Sequence, residues 1–571
     1  MRYSSSLLVL AGVTSLSASS EDDNVLKKRG CQNGPKSRMC WGDFDIDTDD
    51  TTTWPNTGVT RFYDFNITEE TLAPDGVKKP LMVVNGQYPG PAIIADWGDI
   101  LSIQVCNQLT QNGTSIHFHG ARQQNSNYAD GAISQTACPL APGDCTIYTW
   151  QATQHGSSWY HSHFSLQYAS GVFGPLVING PQTANWDIDL GPLLVNDYYH
   201  DTVWRLAVTN QTMTTGQPPD ADNGLFNGKN KWNGGGAYHT LSFTSGKKHL
   251  IRLANTGSEA IFKFSVDQHK MIVVATDFIP IVPFEATSVS VAVGQRLDVI
   301  IDADQDSSKA YWARGLPMES CREVDNNYGH IRAVVRYDDS TSTEDPKSNS
   351  WSMTDECHDE PLSHLVPWIP HTVGPSSLTE LYNASLAQIS INNGTAQGFR
   401  WLVGGAQPFN GDMSQPVVKQ LFDGTYPGDS FVPVNLTGMT TDSWVYMVVE
   451  SSLDIPHPLH LHGHNVYVLA RGNGSYSDAV GLTLDNPPRR DTVNLPPQGY
   501  VALAFKTDNP GAWFFHCHIE WHLNDGFALS VIERAESEIS SIWGDQNTDE
   551  MRRICKSWEA SGLQGLSTHS N

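Results

Sequence analysis

Short apolar runs rich in Val, Ile, Leu and Tyr recur along the chain between clusters of Gly, Pro, Asn and Asp. ILSIQVC, PLMVVNG, RLDVIID, VYMVVE and YVALAF are examples. Runs this short, β-branched and bounded by turn residues predict strands of β-sandwiches or barrels. A helical period fits only short pieces, such as the tail from Glu536 to Trp558.

The pattern repeats. SIHFHG (115–120) and HPLHLHGH (457–464) share H-x-H-G, and GSSWYHSH (156–163) and GAWFFHCH (511–518) share Gly, an aromatic patch and H-x-H. A worn copy lies between them. FKFSVDQHKMIVVA (262–275) aligns with HPLHLHGHNVYVLA (457–470), and AYWARG (310–315) aligns with AWFFHC. There the candidate ligand positions hold Phe262, Ser265, Asp267 and Arg314. Repeats at this scale predict three related β domains, over 50–180, 181–350 and 370–545, with a C-terminal tail over 546–571. The outer two are expected to carry metal and the middle one none. His464 aligns with His269 of the worn copy, so it is expected to be a hydrogen-bonded structural residue and not a ligand.

The chain has 571 residues, enough for several cores. It opens MRYSSSLLVLAGVTSLSASS, with Arg2, an apolar run over 7–13 and small residues at Ser17–Ser19. That is the form of a secretory signal, too short to span a bilayer. The dibasic Lys28-Arg29 predicts a second trimming, so residues 1–29 are expected to be signal peptide and propeptide. No later run suggests a membrane helix, and a soluble, secreted, extracellular monomer is expected. Seven N-x-S/T sequons, at Asn66, Asn112, Asn210, Asn383, Asn393, Asn435 and Asn473, predict N-linked glycans. A net charge of −26 argues against nucleic acid and anionic membranes as partners. Of nine cysteines, an oxidising compartment pairs eight. Cys517, with histidines on both sides, is the candidate for the one left over.

H-x-H in a strand puts both imidazoles on one face. Four such pairs occur in two matched sets: His117/His119, His161/His163, His460/His462 and His516/His518. Imidazole alone suits several metals, and the cysteine decides among them. Cys517 points to the opposite face from His516 and His518, so it serves a separate metal, with His457 and His522 as spare partners. One thiolate and two imidazoles make a blue-copper electron-transfer site, whereas a zinc site would more often use several thiolates or an open water position. The backbone from His516 to His518 is then a covalent link on the order of 10 Å long between two copper sites. The eight histidines, half from each end of the chain, should meet between the first and third domains.

VVNGQYPGP, SIHFHG, WYHSHFSLQYASGVFGPLVINGP, VGQRLDVI, HPLHLHGH, NPPRRDTV and TDNPGAWFFHCHIEWH together resemble the multicopper oxidases, most closely the laccases of filamentous ascomycetes. The resemblance implies an all-β chain of three consecutive cupredoxin-like Greek-key β-sandwich domains and four copper ions. It implies type 1 ligands His457, Cys517 and His522, type 2 ligands His117 and His460, and type 3 ligands His119, His161, His163, His462, His516 and His518. Phe527 stands at the axial position of the type 1 site, where a phenyl ring cannot ligate, and this favours reduced copper and a higher potential. Asp130, in YADGA, matches a carboxylate near the type 2 copper that helps relay protons. Asp222, in DADNGLFNG, matches one that meets the phenol or amine; the stretch GGGAYH, where many relatives carry a Glu, has no acid. Disulfides Cys31–Cys40, Cys138–Cys555 and Cys321–Cys357 are also implied, leaving Cys106 with Cys145. One departure concerns the tail, KSWEASGLQGLSTHSN. Ala560 stands where relatives ending D-S-G-L have Asp, and the spacing from Cys555 is shorter. Cleavage after Leu563 and a tail plug are therefore not carried over.

The expected function is a laccase, taking single electrons from phenols and aromatic amines and reducing dioxygen to water. A ferrous or cuprous oxidase is the alternative, although no C-terminal span or methionine-rich insert is seen. An ascorbate oxidase should have an axial Met. A copper carrier or storage protein would not need the Cys517 link between sites.

Overall fold

In the computed structural model, residues 31–563 are described, apart from 210–217, 322–324, 342, 392–395 and 405–406. The leader and propeptide, the sequons Asn210 and Asn393 and the last eight residues lie outside them. The chain is all-β, with three cupredoxin-like sandwiches in succession. The five short runs quoted first lie on strands: ILSIQVC in Ile100–Asn107, PLMVV of PLMVVNG in Lys79–Val84, RLDVIID in Arg296–Asp302, VYMVVE in Trp444–Ser451 and YVALAF in Gly499–Lys506.

The first sandwich packs the sheet Lys79–Val84, Thr60–Leu72, Ile100–Asn107, Cys145–Gln151 against the sheet Ile93–Asp96, Phe173–Asn179, Gly156–His161, His117–Phe118. Polar and apolar positions alternate on the outer sheet: Ile100–Asn107 buries Leu101, Ile103 and Val105 and leaves Gln104 exposed.

The middle and last sandwiches match strand for strand. The middle one has a six-stranded sheet whose centre runs Ile188–Tyr198, Lys248–Asn255, Arg296–Asp302, Met271–Thr276; in the last, the same places hold Ser376–Ile391, Trp444–Ser451, Gly499–Lys506 and Val466–Asn473. The facing five-stranded sheets run His239–Phe243, Arg332–Tyr337, Ala310–Pro317, Phe262–Val266, Val289–Val291 and Pro433–Leu436, Ala528–Glu533, Gly511–Cys517, His457–Leu461, Thr492–Leu495. In both, the first strand of the sheet joins its neighbour in parallel, as a Greek-key crossover requires.

The tail forms one helix, Ala535–Ser561, kinked at Gly544, so position 545 falls inside it. Its Trp543, Ile554 and Trp558 are buried in the core of the first sandwich, and Cys138–Cys555 ties the two together. The other disulfides are Cys31–Cys40, Cys106–Cys145 and Cys321–Cys357, and Cys517 is free and buried. No helix among the described residues is long and apolar enough to cross a membrane.

Candidate metal centre

Two strand pairs bring the histidines together. His117 lies across from His161 in the first sandwich, and His460 across from His516 in the last. The glycine closing each H-x-H-G is required by its surroundings. Gly120 has φ 72° and Gly463 φ 71°; a Cβ at Gly120 would meet the Asp491 carboxylate, and one at Gly463 the Trp513 ring. The first and last sandwiches meet face to face here. The rings of His117 and His462 stack at 3.9 Å, and those of His119 and His460 at 4.0 Å.

All eight histidines of the four pairs are buried. His117, His119 and His161, then His117, His460 and His462, then His163, His462 and His516 each hold ring nitrogens within 4.8 Å of one another. His518 Nε2 faces His119 Nδ1 at 3.1 Å, and His462 Nε2 faces His516 Nε2 at 3.1 Å. Whether these residues fit a metal is decided by their outer nitrogens. Nδ1–H of His117 donates to the Asp130 carbonyl at 2.8 Å, that of His161 to Ser162 at 3.0 Å, that of His460 to Asp491 at 2.8 Å and that of His516 to Cys517 at 2.9 Å. A carbonyl only accepts, so each hydrogen is fixed outside and a lone pair is left pointing inward. Nε2 of His117, His161, His163 and His460 is buried without a protein partner. Burial, with neighbouring rings, holds His119, His161, His163, His460, His462 and His518 well below the usual imidazole range, and His516 at about 3. Neutral rings with converging lone pairs are what a cluster of cations binds.

His119 is turned the other way. Its Nε2 lies 3.1 Å from both Asp491 Oδ1 and Thr492 Oγ1, so Nδ1 is the inward atom. Asp491 is in turn gripped by Arg296 through both guanidinium nitrogens, one at 2.6 Å. Neither residue was singled out from the sequence. The available signal for Asp491 was NPPRRDTV, three consecutive charges beside a wholly buried strand, and for Arg296 a charge inside the buried strand of VGQRLDVI.

On the opposite face of Gly511–Cys517, Cys517 Sγ lies 3.8 Å from His457 Nδ1 and 3.6 Å from His522 Nδ1, and the two nitrogens are 3.3 Å apart. Burial pushes the thiol up and His457 down to about 3, so the thiol stays protonated unless a cation takes its place. Phe527 is buried beside this trio, its ring 4.9 Å from that of His457 and stacked at 5.3 Å on Trp401. The position therefore offers packing and no donor atom.

Asp130 reaches the cluster: its carboxylate lies 3.0 Å from His462 Nδ1 and 3.2 Å from His117 Nδ1. Asp222 sits at a rim, its side chain one-third exposed. The preceding Ala221 is buried in the same apolar cluster as Trp521, the neighbour of His522. His464 stays out of both centres: Nδ1 meets the His462 carbonyl at 3.0 Å and Nε2 meets Glu533 at 2.9 Å. A cavity of about 100 Å³ opens onto His161, His163, His516 and His518, with Glu520 in its wall. Glu520 is 2 % exposed, one of its oxygens has no protein partner, and burial holds its carboxyl well above the usual range. Its place in HCHIEWH was visible in the sequence, but its burial was not.

Models of the multicopper oxidase family match residues 66–183, 189–340 and 410–537. The chain is 40% identical to Laccase-1 of Botryotinia fuckeliana, over 94% of this chain and 92% of that one. It is 39% identical to a laccase of Neurospora crassa, over 93% and 87%. The crystal structure of a laccase from Botrytis aclada superposes with a TM-score of 0.86 at 38% identity, covering 93% of this chain and 97% of that one.

Proposed function

The chain belongs to the multicopper oxidase family and is a laccase-type enzyme, and from that premise we propose how its residues divide the work. It oxidises phenols and aromatic amines one electron at a time outside the cell and returns four electrons to dioxygen as water. Four coppers, one held by His457, Cys517 and His522 and three by the eight paired histidines, would supply the one-electron chemistry at both places. His117 and His460 are assigned to type 2, and His119, His161, His163, His462, His516 and His518 to type 3.

The observation that carries this reading is the continuity of His516, Cys517 and His518. One strand end contributes to both donor sets, so the link between them is covalent. Phe527 and Trp401 keep water and other donors away from the first set. Asp222 accepts the proton that a phenol loses as its electron leaves. Asp130 and Glu520, buried beside the cluster, hold and hand on the protons that water formation consumes. Asn383, Asn435 and Asn473 are exposed and are the sequons we assign to glycans. The enzyme acts as a secreted monomer, without nucleic acid or membrane as partner.

Oxygen uptake by the copper-loaded protein, with a methoxyphenol and with ferrous iron side by side under acid conditions, tests the reading. Fast uptake with the phenol and little with iron is expected. The reverse would make it a metal-ion oxidase, and no uptake with either, despite bound copper, would leave a storage protein.

A further inference from the structure

Asp222 has a histidine behind it. Its Oδ2 accepts the main-chain N–H of His200 at 2.8 Å and lies 3.7 Å from that residue's ring Nδ1. On the far side of the ring, Nε2 meets Oδ2 of Asp75 at 2.7 Å. Asp75 is fully buried, and it also accepts from the Asn223 side chain at 3.0 Å and the Val77 main chain at 3.1 Å. A carboxylate held this way only accepts, so it fixes the ring hydrogen on Nε2. The nitrogen turned toward Asp222 is then a lone pair. At 3.7 Å that nitrogen and the carboxylate share no hydrogen bond. A proton arriving on either would give the pair a donor and draw them together. The ring keeps 18% exposure, with Trp232 edge-on at 5.0 Å and Tyr198 at 5.9 Å, so it reaches water.

We propose that His200, oriented by Asp75, is the positioning residue that takes over, through Asp222, the proton a phenol gives up; this rests on the reading of Asp222 given above. The phenol O–H breaks and an O–H forms on Asp222, while the electron goes to dioxygen, the enzyme's oxidant, leaving a phenoxyl radical; copper held by His457, Cys517 and His522 would supply the one-electron chemistry. The Asp222 O–H then breaks and an N–H forms on His200 Nδ1. The imidazolium keeps its Nε2–H on Asp75, stands between two carboxylates and releases its proton to water. Other charges face the site. The Lys79 ammonium bonds the Tyr199 and Asp201 carbonyls, is lowered to about 8 by burial and is opposed by the charges of Asp222, Asp75 and Asp201, while the buried Asp325, raised to about 7 by burial, is pushed further up by Asp197 and Asp222.

His200→Gln keeps a donor for Asp75 and removes the basic nitrogen. Asp75→Asn lets the ring hydrogen move to Nδ1. Turnover of a methoxyphenol is compared with that of ferrocyanide, which gives an electron and no proton. Both variants are expected to lower the phenol-to-ferrocyanide ratio about tenfold, below the full effect of a direct acid–base group. A second readout needs no turnover: 4-nitrophenol bound at the site should become the yellow phenolate at lower pH in the unaltered protein than in His200→Gln. Asp222→Asn separates the two ideas. If it lowers the ratio while His200→Gln and Asp75→Asn leave ratio and nitrophenol midpoint at their original values, the role of His200 is overturned and that of Asp222 stands. If Asp222→Asn changes neither readout, the Asp222 reading itself falls, and His200 with it. Equal losses on phenol and ferrocyanide in His200→Gln would mark it as structural only.

Discussion

The middle and last sandwiches have the same frame and differ at the positions that decide whether a metal is held. In the last, His462 and His516 turn ring nitrogens toward each other at 3.1 Å. In the middle, the matching residues are Asp267 and Arg314, joined by two hydrogen bonds of 2.7 and 2.8 Å, with Ser348 closing on the same carboxylate. His457 becomes Phe262, buried in the apolar core, and Cys517 becomes Gly315. Two neutral rings with facing lone pairs need a cation between them; an acid and a base need nothing. The sheet order survives in both, so the frame comes from the strand pattern and the metal chemistry is an addition to it.

The sharpest way to break the comparison is to remove the soft donor, Cys517, where the middle copy has only Gly315. Cys517→Ser replaces a soft thiolate with a hydroxyl that does not serve such a site. Oxygen uptake with phenols should be abolished, with loss of blue absorption, while the far-ultraviolet circular dichroism keeps its β form. Substantial phenol turnover in this variant would contradict the assignment of the first electron acceptor.

The converse experiment is in the middle sandwich. Asp267→Ala leaves Arg314 without its partner, at a cost of about 3 kcal/mol. The figure belongs at the low end of the range because Arg314 keeps 16% exposure. The urea midpoint should fall, with copper content per folded molecule held. Loss of copper without loss of stability would show that the two frames are not independent.

A smaller effect tests the outer partners. Asp491→Asn puts an amide where only an acceptor stood, so the hydrogen on His119 Nε2 is no longer enforced. Metal affinity should drop roughly 10–100-fold, as for other residues that orient a ligand, measured by competition with a chelator. Undiminished affinity would reduce Asp491 to a partner for Arg296. This residue also marks where the sequence stops being informative. The H-x-H pairs and Cys517 could be recognised because strand alternation is a local rule and the donors carry their own chemistry. Asp491 acts on His119, 372 positions away in sequence, and no local rule connects them. Glu520 sits inside the most recognisable motif, yet its burial depends on the cavity wall around it. In the middle copy the lost ligands could be named from the alignment, but their conversion into an ion pair needed the pairing of Ser265 with Arg314 across two strands.

The least effect is expected where the two copies kept the same residue. His269 and His464 both donate from Nδ1 to a carbonyl two positions back, at 2.8 and 3.0 Å. Their other nitrogens differ in partner: His269 meets the neutral Tyr337 hydroxyl at 2.9 Å, and His464 the Glu533 carboxylate at 2.9 Å. Burial therefore lowers His269, while Glu533 raises His464 in spite of its burial. For His269 the unfolded chain, with an imidazole near 6.5, takes up a proton before the folded one does. Its contribution is complete above that value and is lost as the pH falls below it toward the folded pKa. His269→Gln keeps a bond to Tyr337 and removes the titration. Urea midpoints followed from pH 7.5 down to 5 should therefore fall less steeply in the variant than in the unaltered protein. Equal slopes would mean that His269 is protonated as easily in the fold as out of it, and that the partner at the end of the strand, Tyr or Glu, makes no difference to the histidine the copies share.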